Sequence, residues 1–242
     1  MAVTVQSVVD RIQTTLQDTT GIRWPVTGEL VLWVNDAQRE IALLKPDASA
    51  ANETVALIAG TKQSIPTAGN RLLRVVRNMS GASNSATGGR SVRLVSREVL
   101  DAQTPLWHDP TVTGDAAHAS VVKHYVYDES NPRNFYVYPG VTSNAFLEII
   151  YSSNPLSVGL TGARTDLEVP DIYGNAVVDY SLFRAYTKDA EYAGNAQRAS
   201  THYNLFINSV TGKGQIDIIT SPNSDMGPQG ITTGAQVGQQ VR

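Results

Sequence analysis

The stretch Leu30-Val31-Leu32-Trp33-Val34-Asn35-Asp36-Ala37-Gln38-Arg39-Glu40-Ile41-Ala42-Leu43-Leu44, followed by Lys45-Pro46, decides how the chain divides. Leu30, Trp33, Val34, Ala37, Ile41 and Leu44 recur at steps of three and four, which places them on one face of an α-helix. Thr27 offers an N-cap hydroxyl, and Glu29 puts a negative charge in the first turn, where backbone N–H groups lack partners. Pro46 closes the helix, because the residue before a proline is pushed out of the helical region. Upstream, Val5, Val8, Val9, Ile12 and Leu16 share the spacing, so a first helix runs over residues 4–17 and stops at Asp18-Thr19-Thr20-Gly21.

Downstream of Glu53 the pattern becomes that of strands. Residues 54–59 form a β-type run, Gly60-Thr61-Lys62 reads as a turn, and Gln63-Ser64-Ile65-Pro66 begins the return. Residues 71–79 read as an apolar-basic strand, 80–90 as a Gly/Ser-rich loop, 91–96 as strand, 97–101 as one helical turn and 109–119 as loop. Residues 121–127 and 135–138 flank the hairpin connection Asp128-Glu129-Ser130-Asn131-Pro132-Arg133-Asn134, and 145–151 is the last strand. Tyr125, Tyr127, Phe135, Tyr136, Tyr138, Phe146 and Tyr151 supply the cross-strand aromatic pairs of an antiparallel sheet. Helical spacing returns after Pro170. Tyr173, Ala176, Val177, Tyr180, Phe183 and Tyr186 mark a helix to Ala193; Ala199, His202, Tyr203, Phe206, Ile207 and Val210 mark another that Gly212 ends. The short link Gly194-Asn195 makes this pair an antiparallel hairpin.

The expected fold class is therefore α+β. Residues 1–52 supply the N-terminal helices of a four-helix bundle, 53–170 an inserted antiparallel β-sandwich or barrel-like domain, and 171–213 the bundle's C-terminal hairpin. Residues 214–242 form an extended C-terminal arm. The arm's larger apolar residues are Ile216, Ile218, Ile219, Met226, Ile231, Val237 and Val241. Burying all of them contributes roughly 10–20 kcal/mol, whereas fixing the backbone of the segment costs on the order of 30–60 kcal/mol. Alone the arm does not fold. The Ile216-Asp217-Ile218-Ile219 cluster is too apolar for a linker, so the arm is expected to order against a partner, the alternative being plain disorder.

Composition points the same way. Of 242 residues 41% are apolar, enough for a core, and only 17% are charged. Neutral hydrogen-bonding residues fill the difference, and such a surface is easier to desolvate against another protein than a charged one. The net charge of −3 is uneven: between Thr54 and Arg97 stand seven basic residues (Lys62, Arg71, Arg74, Arg77, Arg90, Arg93 and Arg97) and no acidic one. The remainder holds 12 basic and 22 acidic side chains, a net −10. Such a basic lobe can dock on an acidic partner or on a neighbouring copy's acidic face, or its arginines can pair locally.

Little asks for chemistry. No cysteine is present, which removes disulfides and thiolate metal sites. Met1-Ala2-Val3-Thr4-Val5-Gln6 has no basic or apolar character of a signal, and no run approaches the ~20 apolar residues that span a bilayer. The expectation is a soluble protein made in a cytoplasm, with no membrane partner. Gly60-Thr61-Lys62 lacks the flanking residues of a phosphate loop, and neither a Gly-x-Ser-x-Gly elbow nor a His-Glu-x-x-His motif occurs. His108, His118, His124 and His202 show no metal-ligand spacing, and the acidic loop residues Asp109, Asp115, Asp128 and Glu129 read as solvated rather than cation-binding. The expectation is no catalytic residue, no metal and no cofactor.

Three stretches carry a family resemblance: Leu32-Trp33-Val34-Asn35-Asp36-Ala37-Gln38-Arg39-Glu40-Ile41, Leu57-Ile58-Ala59-Gly60-Thr61-Lys62-Gln63-Ser64-Ile65-Pro66, and Tyr186-Thr187-Lys188-Asp189-Ala190-Glu191-Tyr192-Ala193-Gly194-Asn195 before the helix Ala199-Ser200-Thr201-His202-Tyr203-Asn204-Leu205-Phe206. With the order of elements, they resemble the head-to-tail adaptor proteins of tailed bacteriophages. The likeness is strongest to those of short-tailed phages, also called tail tubular or head-completion proteins. It implies a structural ring, usually dodecameric, in the virion neck beneath the portal. The C-terminal arms reach along the portal, the lower surface receives the tail nozzle, and DNA passes through the lumen as non-specific cargo. On that likeness Ile216, Ile218, Ile219, Met226, Ile231, Val237, Val241 and Arg242 belong to a portal-binding arm. The other readings are a tail-associated binding module, whose β domain attaches fibres or a receptor, and a virion enzyme, disfavoured for want of a catalytic constellation.

Overall fold

The computed structural model of the chain describes residues 2–83, 86–189 and 191–220, the last four by backbone alone. These residues form an α+β protein with five α-helices: α1 (Val5–Leu16), α2 (Val31–Leu44), α3 (Arg97–Gln103), α4 (Gly174–Lys188) and α5 (Asn195–Thr220). Eight strands make two four-stranded sheets: β1 (Ala50–Ala56), β2 (Gly60–Ser64), β3 (Gly69–Met79), β4 (Gly88–Ser91), β5 (Arg93–Leu94), β6 (His124–Tyr127), β7 (Asn134–Val141) and β8 (Phe146–Ser153). Two compact units result, Met1–Glu40 with Ser157–Arg242, and Ile41–Leu156.

In the helical unit, α1 buries Val5, Val8, Val9 and Ile12, and Thr4 caps it by accepting the Ser7 N–H at 3.1 Å. Full burial of four such side chains contributes about 6–12 kcal/mol as an upper bound. The helix containing α2 does not start at Thr27. Pro25, with φ −55°, sets the first turn, and its carbonyl accepts from both Glu29 N–H (2.9 Å) and Leu30 N–H (3.3 Å). The wider bond produces a π-helical turn over Val26–Leu30 that runs on into α2.

Segment 157–169, which the sequence pattern assigned to the β insertion, is bonded to α2. Asn35 Nδ2 donates to the Val158 carbonyl (3.0 Å) and Asn35 Oδ1 accepts the Val158 N–H (2.8 Å). One turn on, Gln38 Oε1 accepts the Glu168 N–H at 2.7 Å, with Gln38 itself at 0% exposure.

Helices α4 and α5 form an antiparallel hairpin. Tyr180 meets Phe206 (5.1 Å between ring centroids), Phe183 meets Tyr203 (4.9 Å) and Tyr186 meets His202 (5.6 Å), so positions rise along α4 as they fall along α5. Two expected helix ends are corrected. α4 stops at Lys188 instead of Ala193, because Asn195 Nδ2 takes the Asp189 carbonyl (3.1 Å) and carboxylate (2.8 Å) and folds the chain into the turn before α5. α5 does not stop at Gly212; it continues to Thr220, through Gly214, where an extended arm was expected to begin. Each glycine costs about 1 kcal/mol in a helix. Packing offsets that: Val210 is buried, and Lys213 bonds the Ile172 carbonyl while its ammonium lies 5.0 Å from the Tyr173 ring centre.

In the β unit, β1 and β2 do not form a hairpin. β1 pairs with β8 in the sheet ordered β1-β8-β3-β4, and β2 with β7 in the sheet ordered β2-β7-β6-β5. Gly60-Thr61-Lys62 is strand rather than turn; the bend lies at residues 57–59, where the buried Gln63 side chain accepts the Ile58 N–H (2.9 Å) and donates to the Ile58 carbonyl (2.7 Å). β1 starts at Ala50, ahead of the period change read at Glu53, and β4 starts at Gly88 inside the stretch read as loop. The 128–134 connection is the hairpin expected, joining β6 to β7. One core cluster takes Leu72, Val75, Leu147 and Ile149 from the first sheet and Tyr125, Phe135 and Val137 from the second.

Replacing Asn35 with Leu keeps the volume but leaves buried Val158 groups unbonded. Chemical denaturation of Asn35→Leu is expected to show a loss of about 2–4 kcal/mol. Arg39→Ala, which removes an exposed bond to Ser157, is expected to lose under about 1 kcal/mol.

Candidate interaction surfaces

The arginine series of β3 depends on a backbone irregularity. In a regular strand, Arg71 and Arg77 would share a face and Arg74 would point the other way. Here the register against β8 slips between Gly69 and Arg71, between Leu72 and Arg74, and between Val75 and Arg77. Each slip is a bulge that turns the next side chain over. The buried positions become Leu72, Val75 and Asn78, and Arg71, Arg74 and Arg77 are all exposed. Arg77 Nε bonds Glu148 Oε2 at 2.6 Å, and Asn52 Nδ2 bonds Glu148 Oε1 at 3.0 Å; together these hold the Glu148 carboxyl below its usual range. Glycine at 88 permits this, since a Cβ there would meet the Arg77 guanidinium at 2.7 Å.

The other basic residues do not converge on that face. Arg90 lies on β4, beside β3, but Lys62 on β2 and Arg93 on β5 occupy opposite edges of the second sheet. Arg97 opens α3, where it pairs with Asp101 (3.4 Å) and lies over the Tyr136 ring. Among the described residues Lys62, Arg71, Arg74, Arg90 and Arg93 form no ion pair, whereas Arg77 and Arg97 do.

Three histidines surround β7. His124 is paired with Tyr138 across the sheet and stacks on it, and the His118 ring fills the space a Cβ at Gly140 would take. The His108 ring lies tilted against Trp107, 3.7 Å between centroids, and bonds Thr61 Oγ1 at 2.7 Å. Trp107, fully buried, donates to Asp101 and packs with Leu100 and Val126 in a second, smaller core. Burial, reinforced by Arg90, Arg93 and Lys123, holds the His124 pKa below its ordinary value; burial and then Arg97 do the same to His108. Across the unit, Tyr151 donates to Glu53 (2.7 Å), and burial together with that carboxylate pushes its pKa to about 12.

Of the residues assigned to the arm, Ile216 lies on α5 and is 58% exposed, and the backbone of Ile218 and Ile219 is helical. Met226, Ile231, Val237, Val241 and Arg242 lie outside the described residues. A groove of ≈ 300 Å³ in the helical unit is lined by Trp33, Phe183, Arg184, Thr187 and Lys188. The buried amides Asn35, Gln38, Gln63 and Asn78 escaped the sequence reading. Their signal was a polar residue on an apolar stripe, as with Gln38 between Val34 and Ile41.

Among the described residues no three His, Asp or Glu side chains converge as metal ligands, and no helix is long and apolar enough to cross a membrane. What the described surface offers is exposed arginines on β3 and exposed apolar side chains such as Ile58, Leu94 and Ile216. Residues 3–227 match the SU10 adaptor protein family, and the chain belongs to that family of phage head–tail adaptors, whose role is structural rather than enzymatic. No curated protein matches the chain.

The shifted groups set the pH response. A histidine whose folded pKa is lowered stabilises the fold above about pH 6.5 and loses that contribution as pH falls; a tyrosine whose folded pKa is raised stabilises below about pH 10 and loses it as pH rises. In urea titrations, His124→Gln is expected to flatten the fall in stability below pH 6.5. Tyr151→Phe is expected to flatten the fall between about pH 10 and 12 by up to roughly 2 kcal/mol.

Proposed function

We propose that this chain is one subunit of a ring, a dodecamer by family likeness, that joins the portal of a short-tailed phage to its tail nozzle and leaves a lumen for DNA. The ring sits in the virion neck and is assembled from subunits made in the host cytoplasm. In this reading α1, α2, α4 and α5 close as a four-helix bundle that packs beside its neighbours. The two sheets act as a sandwich inserted in it, the part of 53–170 beyond Leu156 goes with the helices, and residues 171–213 keep the role of the bundle's C-terminal hairpin. Residues from 214 onward contact the portal, with Ile216, Ile218, Ile219, Met226, Ile231, Val237, Val241 and Arg242 as the contact set. Lys62, Arg71, Arg74, Arg77, Arg90, Arg93 and Arg97 face an acidic neighbour or partner.

One observation carries the reading. α4 has 15 residues and α5 has 26, so the antiparallel hairpin leaves the last two turns of α5 projecting past α4. A helix end that outruns its partner and carries the apolar cluster 216–219 at its tip is a fitting for a second protein. Repetition around a ring makes weak contacts per subunit sufficient.

The test is attachment. A chain ending at Lys213 is expected to keep its helical content and melting behaviour but to lose binding to the cognate portal by sedimentation and electron microscopy, where the full chain forms rings on it. Normal attachment of the truncated chain would remove the portal contact from this segment.

A further inference from the structure

The two sheets have four edges, and three are protected. β5 has two residues; β4 has four and a register slip; β2 has five, a slip, and an exposed Lys62. Short length, bulges and lysine all keep a sheet edge from pairing with another chain. β1 has none of them. Ala50–Ala56 pairs with β8 over seven consecutive residues without a slip. It contains no proline and no basic residue, and its single charge, Glu53, is held by the Tyr151 hydroxyl. Among the described residues no strand pairs with its other side. Ala51 and Val55 pack against the main core but remain only half-buried, so the core is unfinished where β1 ends it.

The chain past the described residues contains a segment suited to this edge. In Ile231-Thr232-Thr233-Gly234-Ala235-Gln236-Val237-Gly238-Gln239-Gln240-Val241 the odd positions hold Ile231, Ala235, Val237 and Val241, with Thr233 and Gln239 between. The even positions hold Thr232, Gly234, Gln236, Gly238 and Gln240. This alternation is that of a strand with one face on a core and one in water, and β1 has the same two faces: Ala51 and Val55 toward the core, Asn52 and Thr54 away from it. Gly234 and Gly238 weaken a strand on its own, so the segment needs a formed edge as template. The ten residues 221–230 reach up to about 33 Å beyond Thr220.

We infer that residues 231–241 of a second copy of this chain add as a strand to the open edge of β1. The second copy, rather than the chain's own tail, follows from the adaptor reading, on which this inference rests: neighbours in a ring are present at high effective concentration, and a head-to-tail contact whose rotation closes is what a ring is built from. The arm is then shared, which narrows the portal contacts proposed above: Ile216, Ile218, Ile219 and Met226, within 214–230, stay with the portal, and Ile231, Val237 and Val241, within 231–241, turn to the neighbouring subunit. Main-chain hydrogen bonds supply the affinity and the alternating side chains the register.

Hydrogen–deuterium exchange on the full chain tests this. Bound to its portal, the peptide covering Ala50–Ala56 is expected to exchange at least ~10-fold more slowly than in dilute monomer. Truncation after Gly230, or Val237→Asp on the apolar face, is expected to restore fast exchange, while Gln236→Asp on the polar face leaves it slow. Equal exchange in rings of full-length and truncated chain overturns the inference. Slow exchange in the monomer at every concentration also overturns it, by assigning β1 to the chain's own tail. Loss of portal binding on truncation after Gly230 overturns it too, since residues 231–241 then contact the portal. If the full chain fails to bind the portal, the adaptor reading falls. The strand addition is then decided by a synthetic 231–242 peptide added to the chain truncated after Gly230: protection of β1 supports it, and none overturns it.

Discussion

A backbone segment that is neither helix nor strand can be buried only if something bonds its N–H and C=O groups, and in this chain amide side chains supply those bonds. Asn35 satisfies both backbone groups of Val158, and Gln38 takes the N–H of Glu168. In the β unit, Gln63 closes the bend at Ile58, and Asn78 bonds the Arg90 carbonyl together with both backbone groups of Val122. An amide offers donor and acceptor on one short arm, so it mimics a ladder partner where none exists. Each sits in a regular element and reaches a residue outside helix and strand, Asn78 meeting Arg90 of β4 as well, and the connections are fixed in place by that means.

This explains why a protein with few charges still folds uniquely. The basic partner of most ion pairs among the described residues is exposed, and pairs exposed at both ends, such as Arg39–Asp36 and Arg97–Asp101, contribute little. The apolar clusters give bulk stability, and the buried amides set which segment lies against which helix or strand. The surface is left free of structural duty, and its neutral composition can serve contacts with other proteins.

The helices were legible in the sequence because their signal is local. Val5, Val8, Val9 and Ile12 state the face of α1 outright, and Pro46 and Gly194 punctuate the chain where it turns. The strands were legible as segments but not as partners. Nothing near Gly60 says that β1 and β2 enter different sheets, since that is decided by β7 and β8, far along the chain. The ends of α4 and α5 were misread for a related reason. Asn195 acts backward on Asp189 across six residues, overriding the helix signal of Ala193, and Lys213 reaches across to Ile172, a tertiary bond that overrides the breaking signal of Gly212. Of the candidate surfaces, the basic residues were visible as a list, but the bulges that turn Arg71, Arg74 and Arg77 to one face are a backbone property, hinted at only by their spacing of three.

The bulges also separate two kinds of edge in one sheet. A strand that slips three times against its neighbour cannot present a regular row of hydrogen-bonding groups, and β4 beyond it is short and slips again. On the far side, β8 runs straight and β1 copies it for seven residues. One side of the sheet is thus shaped for side-chain contact, through arginines on an exposed face, and the other retains an ordered main-chain edge. In the proposed ring, where a subunit meets different neighbours on its two sides, such an asymmetry is useful, because a sheet with two equivalent edges can pair with itself in either direction and grow without limit.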